Sequence, residues 1–357
     1  MARGLSTFCL VFLTLVVPAQ ARTSSIISVW QLLDRSEQVW RGEILRMSVG
    51  ARETCLVEGQ EVPLQWVVAE MRVDQAVLGE VPEGGVGQLE FAVSFEKFVP
   101  YVRFMPGEYV LVFLSAEDGR LRLTDPYEGA RDLPRPETPG SLATGAPQEI
   151  LAKTLAQFLS LDPPAGIWAA LQLGHCPRSD LAVPLLRPWV SAPDPATRGD
   201  VFGALVQLGD AASLPALFDF LAAPPQEGQD IAMFALSGLS PERLGKLAQD
   251  YHALSGGTLA GAFAALLSHA DARVREEAAY GIRELAEPSS VAALVAALDD
   301  QSLGVRYQAL MGLAEIVGKV REWAPAVTQG EGTVAAAVAL WKGWWTAESR
   351  AQYGASP

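Results

Sequence analysis

Side chains suited to nucleophilic or metal chemistry are few and scattered in this sequence of 357 residues. Its three histidines, His175, His252 and His269, do not have the mutual spacing that puts two metal ligands on one helix face. Cys176 follows His175, but adjacent side chains on a turn point apart more often than they converge. No HExxH, GxSxG, Walker A or GxGxxG motif stands in a suitable context. We therefore expect no catalytic residue, no metal site and no cofactor, and we predict that the chain is not an enzyme.

Two aspartate–arginine pairs admit a functional and a structural interpretation. Asp271 precedes Arg275, and Asp300 precedes Arg306. As a site, these charges would form a rim around a ligand. As structure, the aspartates would cap helix N-termini, and the arginines would join neighbouring helical units through charge-assisted hydrogen bonds. We expect the structural role, because the pairs fit the architecture of a helical repeat.

An aromatic cluster lies near the C-terminus. Trp341, Trp344 and Trp345 have the spacing i, i+3 and i+4, which places them on one face of a helix. One interpretation is an aromatic patch that binds a partner. The other, which we favour, is a capping helix whose large rings close the end of a helical stack.

The N-terminal segment has the pattern of an export signal. Arg3 gives a positive start, residues 5–17 are mostly apolar, Pro18 interrupts them, and the small-x-small sequence AQA ends at Ala21. The apolar stretch is shorter than the roughly 20 residues that span a bilayer. We expect a signal peptide over residues 1–21, cleavage after Ala21, a periplasmic or secreted chain that starts at Arg22, and no membrane span after cleavage. An uncleaved signal anchor is the alternative.

Two cysteines remain beyond the signal, Cys55 and Cys176. In an oxidising compartment they can pair, and that disulfide would tie the two halves of the chain together. The alternative is two unpaired, partly buried thiols. The sequence does not decide between them.

Composition restricts the class of partner. Hydrophobic residues make up 50% of the chain and charged residues 19%, so a large core can be buried. The formal net charge is −14. This acidity argues against nucleic acid, whose phosphates require a basic surface, and against anionic membranes. We expect another protein or a peptide as the partner.

The first half, residues 22–132, has the alternating pattern of short β-strands. The expected strands are Ser36–Ile44, Leu64–Val73, Gly87–Val93, Tyr109–Leu114 and Arg120–Leu123. The run Tyr109–Leu114 is continuously apolar, as in a strand buried on both faces. A short helix is expected before them at Ser28–Asp34. Such strands close most easily into a small all-β barrel or sandwich.

Three segments of this half form a recognisable set: Val39–Ile44, Val73–Gly79 with the sequence VDQAVLG, and Pro106–Leu114 with the sequence PGEYVLVFL. Together they resemble the barrel of the tissue inhibitors of metalloproteinases, an OB-like barrel. The resemblance implies a barrel fold. Those inhibitors chelate the protease zinc through an N-terminal cysteine, whereas the expected mature N-terminus here is Arg22. The resemblance therefore does not extend to the inhibitory chemistry.

The second half, residues 149–353, repeats itself after a Pro/Gly-rich linker at 133–148. Val274-Arg275 recurs as Val305-Arg306, a step of 305 − 274 = 31 residues, and small and apolar residues recur at the same step. A period of this length, built from pairs of helices, indicates an all-α solenoid in which each pair covers the apolar face of the next.

The repeats resemble HEAT repeats, of the short kind also found in phycobilisome lyases. The motif D-x-x-VR-x-x-A-x-x-x-L-x-x-L is matched by Asp271–Leu285, more weakly by Asp194–Leu208, and in degraded form by Leu171–Leu186 and Asp230–Leu239. The resemblance implies a two-domain chain, a β-barrel or sandwich followed by a HEAT-like solenoid that ends in the Trp-rich helix.

We therefore predict an exported, non-enzymatic interaction or scaffold module that uses the solenoid surface. One alternative is a protease inhibitor that acts through the β-domain, against which the missing N-terminal cysteine argues. The other is a lyase or chromophore-handling protein related to phycobilisome lyases. The export signal argues against this second alternative, because those lyases act in the cytoplasm.

Overall fold

The computed structural model describes residues 28–57, 60–94, 104–125, 129–133, 135, 145–161, 163–320 and 331–353. The signal peptide expected at residues 1–21 lies outside them, as does most of the linker expected at 133–148. Cleavage after Ala21 therefore stays a prediction. Helix α1 (Val29–Arg35) precedes the strands. The strands are β1 (Gln38–Val57), β2 (Gln60–Leu78), β3 (Val86–Ser94), β4 (Tyr109–Glu117), β5 (Arg120–Leu123) and β6 (Ala130–Asp132).

The strands close into a small barrel rather than a sandwich. β1 pairs with β2, β2 with β3 and β4 with β5, all antiparallel. One parallel pair, Glu90 with Arg122, links β3 to β5, and β4 pairs back onto β1 along residues 109–114. β6 adds to β4 on the side of β5. The ring leaves few open strand edges, and it confirms the all-β first half.

Local sequence signals determine the turns of the barrel. Asp118 and Gly119 both have positive φ, 52° and 75°, as a two-residue hairpin between β4 and β5 requires. Gly42 lies at a register shift of the β1–β2 ladder, where a side chain would overlap the Arg72 carbonyl.

Strand β4 is buried on both faces because the barrel and the helices share a core. One set of alternate residues faces the barrel interior: Val110, Val112 and Leu114. The other set packs with α1 and with the first helices of the second half: Tyr109, Leu111 and Phe113. This double burial explains why residues 109–114 form a continuous apolar run, whereas the more exposed end of the strand carries Ser115 and Glu117.

Polar contacts also join the two halves. The Trp30 indole Nε1 of α1 donates to the Gln172 carbonyl at 2.6 Å, and the Val29 N–H donates to Gln172 Oε1 at 3.1 Å. Arg41 in β1 is buried and donates to Gln157 Oε1 at 3.1 Å. The sequence predicted two domains joined by a linker, and the structure adds a direct interface between them.

The second half consists of helices in two layers. The helices are α2 (Pro147–Phe158), α3 (Pro163–Gly174), α4 (Ser179–Leu186), α5 (Pro195–Gln207), α6 (Leu214–Ala222), α7 (Gln229–Ser237), α8 (Pro241–Ser255), α9 (Leu259–Leu266), α10 (Ala272–Leu285), α11 (Val291–Ala297), α12 (Leu303–Val317), α13 (Glu331–Trp344) and α14 (Ala347–Tyr353). The expected solenoid is confirmed. Among the described residues, no helix combines the length and apolarity needed to cross a membrane.

One layer is a continuous row of helices, α3, α5, α7, α10, α12 and α13, each in contact with the next. Small residues allow the close approach. A Cβ added at Gly174 of α3 would lie 2.9 Å from Ala204 Cα of α5, and one at Gly203 would lie 3.3 Å from Ala235 Cβ of α7. The outer surface of this row is formed by these successive helices. We call it the helix row.

Candidate functional site

The three histidines, which are the side chains best suited to catalysis or metal binding, form hydrogen bonds with the backbone. His175 Nδ1 bonds the Leu171 carbonyl at 2.7 Å, and His252 Nδ1 bonds the Gly257 carbonyl at 3.1 Å. His269 Nδ1 accepts the Asp271 N–H at 3.0 Å. Among the described residues, no three His, Cys, Asp or Glu side chains form a group that could hold a metal ion.

Cys176 is a buried free thiol between α3 and α4. Its Sγ donates to the Arg178 carbonyl at 3.4 Å, and burial raises the pKa of the thiol. The side chain of Cys55 lies outside the described residues. The pairing of Cys55 with Cys176 therefore stays one of the two alternatives predicted from the sequence, the other being two unpaired thiols.

One aspartate–arginine contact holds two consecutive repeats together. Asp271 caps α10 by accepting the Arg273 N–H at 2.7 Å. The Arg275 guanidinium of α10 donates to both carboxylate oxygens of Asp300, at 2.7 and 2.9 Å. These hydrogen bonds lower the pKa of Asp300. Charge-assisted pairs of this geometry fix the position of one repeat against the next.

The backbone contacts of the arginines recur with the repeat. Arg275 Nη1 donates to the carbonyls of residues 269 and 270, at 2.8 and 3.0 Å. Arg306 Nη1 donates to the carbonyls of residues 300 and 301, again at 2.8 and 3.0 Å. Both the arginine and its acceptors shift by 31 residues. These arginines close the turn before their own helix, a contact that the sequence analysis did not predict. Asp300 does not cap α12 as expected, because the N-cap residue of that helix is Ser302.

The three tryptophans at the C-terminus differ in burial. Trp341 is fully buried in the core and stacks edge-on against Trp344, with ring centroids 5.1 Å apart. Trp344 and Trp345 are partly buried against the same core, and Trp344 also meets Tyr353 of α14. The rings thus contribute to packing at the end of the helix row. The partly exposed faces of Trp344 and Trp345 leave the aromatic-patch interpretation open.

An open groove with exposed apolar side chains lies between α7 and α10. It is a groove of about 400 Å³. Its lining residues are Asp230, Ile231, Phe234, Arg273, Glu276 and Glu277. The Phe234 side chain is 67% exposed and Ile231 is 40% exposed, whereas Ala232, Met233 and Leu236 of the same helix are buried. Helix α7 therefore has one apolar face in the core and a second one in solvent.

Carboxylates surround this exposed apolar pair. Glu277 accepts a hydrogen bond from the Ser237 hydroxyl, and Asp230 lies 3.6 Å from Arg273. Glu276 is half-buried against Gly304, which has no side chain to displace it. Burial, and secondarily the adjacent Glu277 carboxylate, raises the pKa of Glu276. A cation brought to this position would favour its ionised form.

A further carboxylate belongs to α5 of the helix row and is buried. Asp200 is 3% exposed, and among the described residues its Oδ2 has no hydrogen-bond partner. Burial, together with the charges of Asp194 and Asp230, raises its pKa to about 6. Such a group is rare in a protein core and is destabilising when ionised.

The sequence analysis did not single out Ile231, Phe234, Glu276 or Asp200 as a site. Helix α7 was recognised only as a degraded repeat, Asp230–Leu239. The spacing of Ile231 and Phe234, i and i+3, was the available signal, since it places both on one face while Ala232, Met233 and Leu236 occupy another. Which face is covered depends on neighbouring helices, and that information is not local.

The fold defines a class of protein, an α-solenoid attached to a small β-barrel. The family model for HEAT repeats matches residues 152–237 and 259–340. The helical half of the chain therefore contains HEAT repeats. No curated protein matches the sequence.

Several solved structures are similar to part of the chain. An engineered protein has 20% identity and a TM-score of 0.38, with 53% of this chain and 93% of that chain covered. The complex of CpcE and CpcF of phycocyanin lyase from Nostoc sp. PCC7120 has 19% identity and a TM-score of 0.36, with 45% and 96% covered. A second engineered protein has 19% identity and a TM-score of 0.37, with 55% and 51% covered.

Proposed function

We propose that this protein is an exported, non-enzymatic module that binds another protein or a peptide on the helix row. The observation that carries the proposal is the groove between α7 and α10, where Phe234 remains 67% exposed in the middle of a stacked layer. A large exposed aromatic side chain in a groove is typical of an interaction surface. Stacked repeats offer extended surfaces that suit protein partners.

The charged residues of the repeats support a binding role rather than a catalytic one. Asp271 caps a helix, and Arg275 and Asp300 join two repeats. These side chains are therefore used for structure. The groove itself contributes shape, apolar area and negative charge, which are properties of a recognition surface.

Export rests on the pattern of residues 1–21, and an intact mass tests it. The protein is recovered from its native host and weighed before and after reduction with thiol alkylation. We expect the measured mass to match a chain that starts at Arg22. A full-length mass would contradict export and would reopen the lyase-like alternative, which belongs to the cytoplasm.

The binding role is tested by chemical crosslinking of the whole mature chain in its native compartment. Mass spectrometry then locates the crosslinked residues. We expect crosslinks from a protein partner to map to the helix row. Crosslinks confined to the β-barrel would favour the inhibitor-like alternative, and no crosslinked protein at all would contradict the proposed function.

A further inference from the structure

We infer that the groove between α7 and α10 binds a partner segment that presents a bulky apolar side chain beside a lysine or arginine. The inference rests on the proposed function and specifies the chemistry of the partner. Two features of the groove carry it, an exposed apolar pair and an excess of negative charge that no cation of the groove balances.

The apolar pair provides the anchor position. Ile231 and Phe234 lie one helical turn apart on the outer face of α7 and line the same groove. Their exposure leaves apolar area in water, and a bulky side chain of a partner would cover it. Aromatic residues at the centre of an interface commonly contribute a large part of the binding energy.

The negative charge of the groove is the second feature that selects the partner. Three carboxylates and one guanidinium line the groove, the latter belonging to Arg273. The Arg273 side chain is 80% exposed and lies next to Asp230, so it does not neutralise Glu276. No cation among the described residues pairs with Glu276, and its carboxylate faces the like charge of Glu277. A cation from a partner would relieve that repulsion.

Charge complementarity also selects among occupants. The chain has a net charge of −14, so a second copy would bring a further acidic surface to an acidic groove. The phosphates of nucleic acid would be repelled for the same reason. A basic and apolar segment of another protein is the occupant that satisfies both features of the groove.

The test uses the whole mature protein and a random peptide library displayed on phage. The selected peptides are sequenced, and one enriched peptide is labelled and titrated by fluorescence anisotropy at low and at high salt. We expect the enriched sequences to share a bulky apolar residue next to lysine or arginine. Affinity should fall as salt is raised, because the charge contribution is screened.

Three variants locate the binding. Phe234→Ala should weaken the peptide by at least about tenfold. Glu276→Gln should weaken it by about threefold to fivefold and reduce its dependence on salt. Leu254→Ala is the matched control, since Leu254 on α8 is 66% exposed and lies outside the groove. Its variant should bind as the unmodified protein does.

Several outcomes would overturn the inference. They are the failure to enrich any peptide, an enriched motif that lacks basic residues, and equal affinity for the Phe234→Ala variant. If the unmodified protein is a dimer in analytical ultracentrifugation and the Phe234→Ala variant is a monomer, the groove binds a second copy instead. If a substitution of Trp344 abolishes peptide binding and Phe234→Ala does not, the protein binds peptides but not in the groove between α7 and α10. Absence of crosslinked partners in the native compartment would remove the proposed function itself.

Discussion

Helices α5 and α10 both begin with an aspartate N-cap, but their charged side chains contact different neighbours. Asp194 caps α5 by accepting the Thr197 N–H at 2.7 Å, as Asp271 caps α10. Each helix carries an arginine four residues after the cap. Arg275 of α10 makes two hydrogen bonds to the Asp300 carboxylate, whereas Arg198 of α5 meets the neutral amide of Gln226 at 3.0 Å.

The contrast continues two residues further along each helix. Glu277 of α10 accepts a hydrogen bond from Ser237, whereas Oδ2 of Asp200 in α5 has no hydrogen-bond partner in the part of the chain that the structure describes. The two helices share a motif, but the following repeat provides a carboxylate in one case and an amide in the other. The difference teaches that the motif determines the helix and its cap, while the neighbouring repeat determines what the charged side chains contribute.

The largest expected effect separates the two arginines. Arg275→Ala should lower the free energy of unfolding by about 3–4 kcal/mol, because it leaves the mostly buried Asp300 carboxylate without its partner. Arg198→Ala should cost about 1 kcal/mol, because it removes a hydrogen bond to a neutral group. Urea denaturation followed by circular dichroism measures both, with Arg273→Ala as an exposed control. Equal losses at Arg198 and Arg275 would contradict the comparison.

Asp200 should reveal itself through pH. Its folded-state pKa of about 6 lies above the unfolded value near 3.8, so the folded state holds the proton in that interval and stability falls as pH rises through it. The Asp200→Asn variant has no carboxyl group to ionise at this position, so its stability should not fall in this way. The variant should resemble the unmodified protein near pH 4 and exceed it by about 2–3 kcal/mol at pH 8. Thermal melts across this pH range test the prediction, and a difference that is constant with pH would contradict it.

Asp300 should respond with the opposite sign. Its pKa is lowered by Arg275, so its stabilising contribution is present above the unfolded value of 3.8 and is lost as the pH falls through the folded value. Asp300→Asn should cost about 2 kcal/mol at pH 7 and much less in strong acid. The same melts, extended to low pH, measure it. A cost that does not decrease in acid would argue against the pair.

The shared cap should give equal effects in both helices. Asp194→Ala and Asp271→Ala should each destabilise by about 1 kcal/mol, because each removes an acceptor from the first turn of its helix. Denaturation at neutral pH compares the two variants directly. A markedly larger loss at one of them would show that the cap, and not only the repeat interface, differs between α5 and α10.

The smallest expected effect lies at the groove. Phe234→Ala should change stability by no more than about 0.5 kcal/mol, because the side chain is largely exposed. Leu254→Ala serves as its control, and a thermal melt is sufficient. A large loss of stability would mean that Phe234 supports the fold, and it would weaken its assignment to binding.

Local physics made much of the fold predictable. The Asp118-Gly119 turn requires two positive φ angles, and the sequence places there the residues that adopt them most readily. The 31-residue recurrence of the Val-Arg pair predicted the helical repeat, because each helix buries its apolar face by the same spacing. Alternation of apolar and polar residues predicted most of the strands, and the continuous apolar run Tyr109–Leu114 predicted a strand buried on both faces.

The candidate site was much less predictable. Ile231 and Phe234 carry the same apolar signal as buried residues, so their exposure depends on which helices α7 meets. Asp200 and Glu277 occupy the same place in the repeat motif, yet only contacts from other helices distinguish the two carboxylates. Sequence patterns record that a side chain is apolar or charged and do not record its distant neighbours.

The sequence by itself determined the order of the elements, their caps and turns, the repeat, and the double burial expected for Tyr109–Leu114. The tertiary structure decided that the strands close into a barrel, because the β4–β1 pairing joins residues far apart in the chain. It also decided that the outer face of β4 is covered by α1 and the first helices of the solenoid. Local conformational preferences act over a few residues, whereas the partner of a buried face is selected by packing of the whole chain.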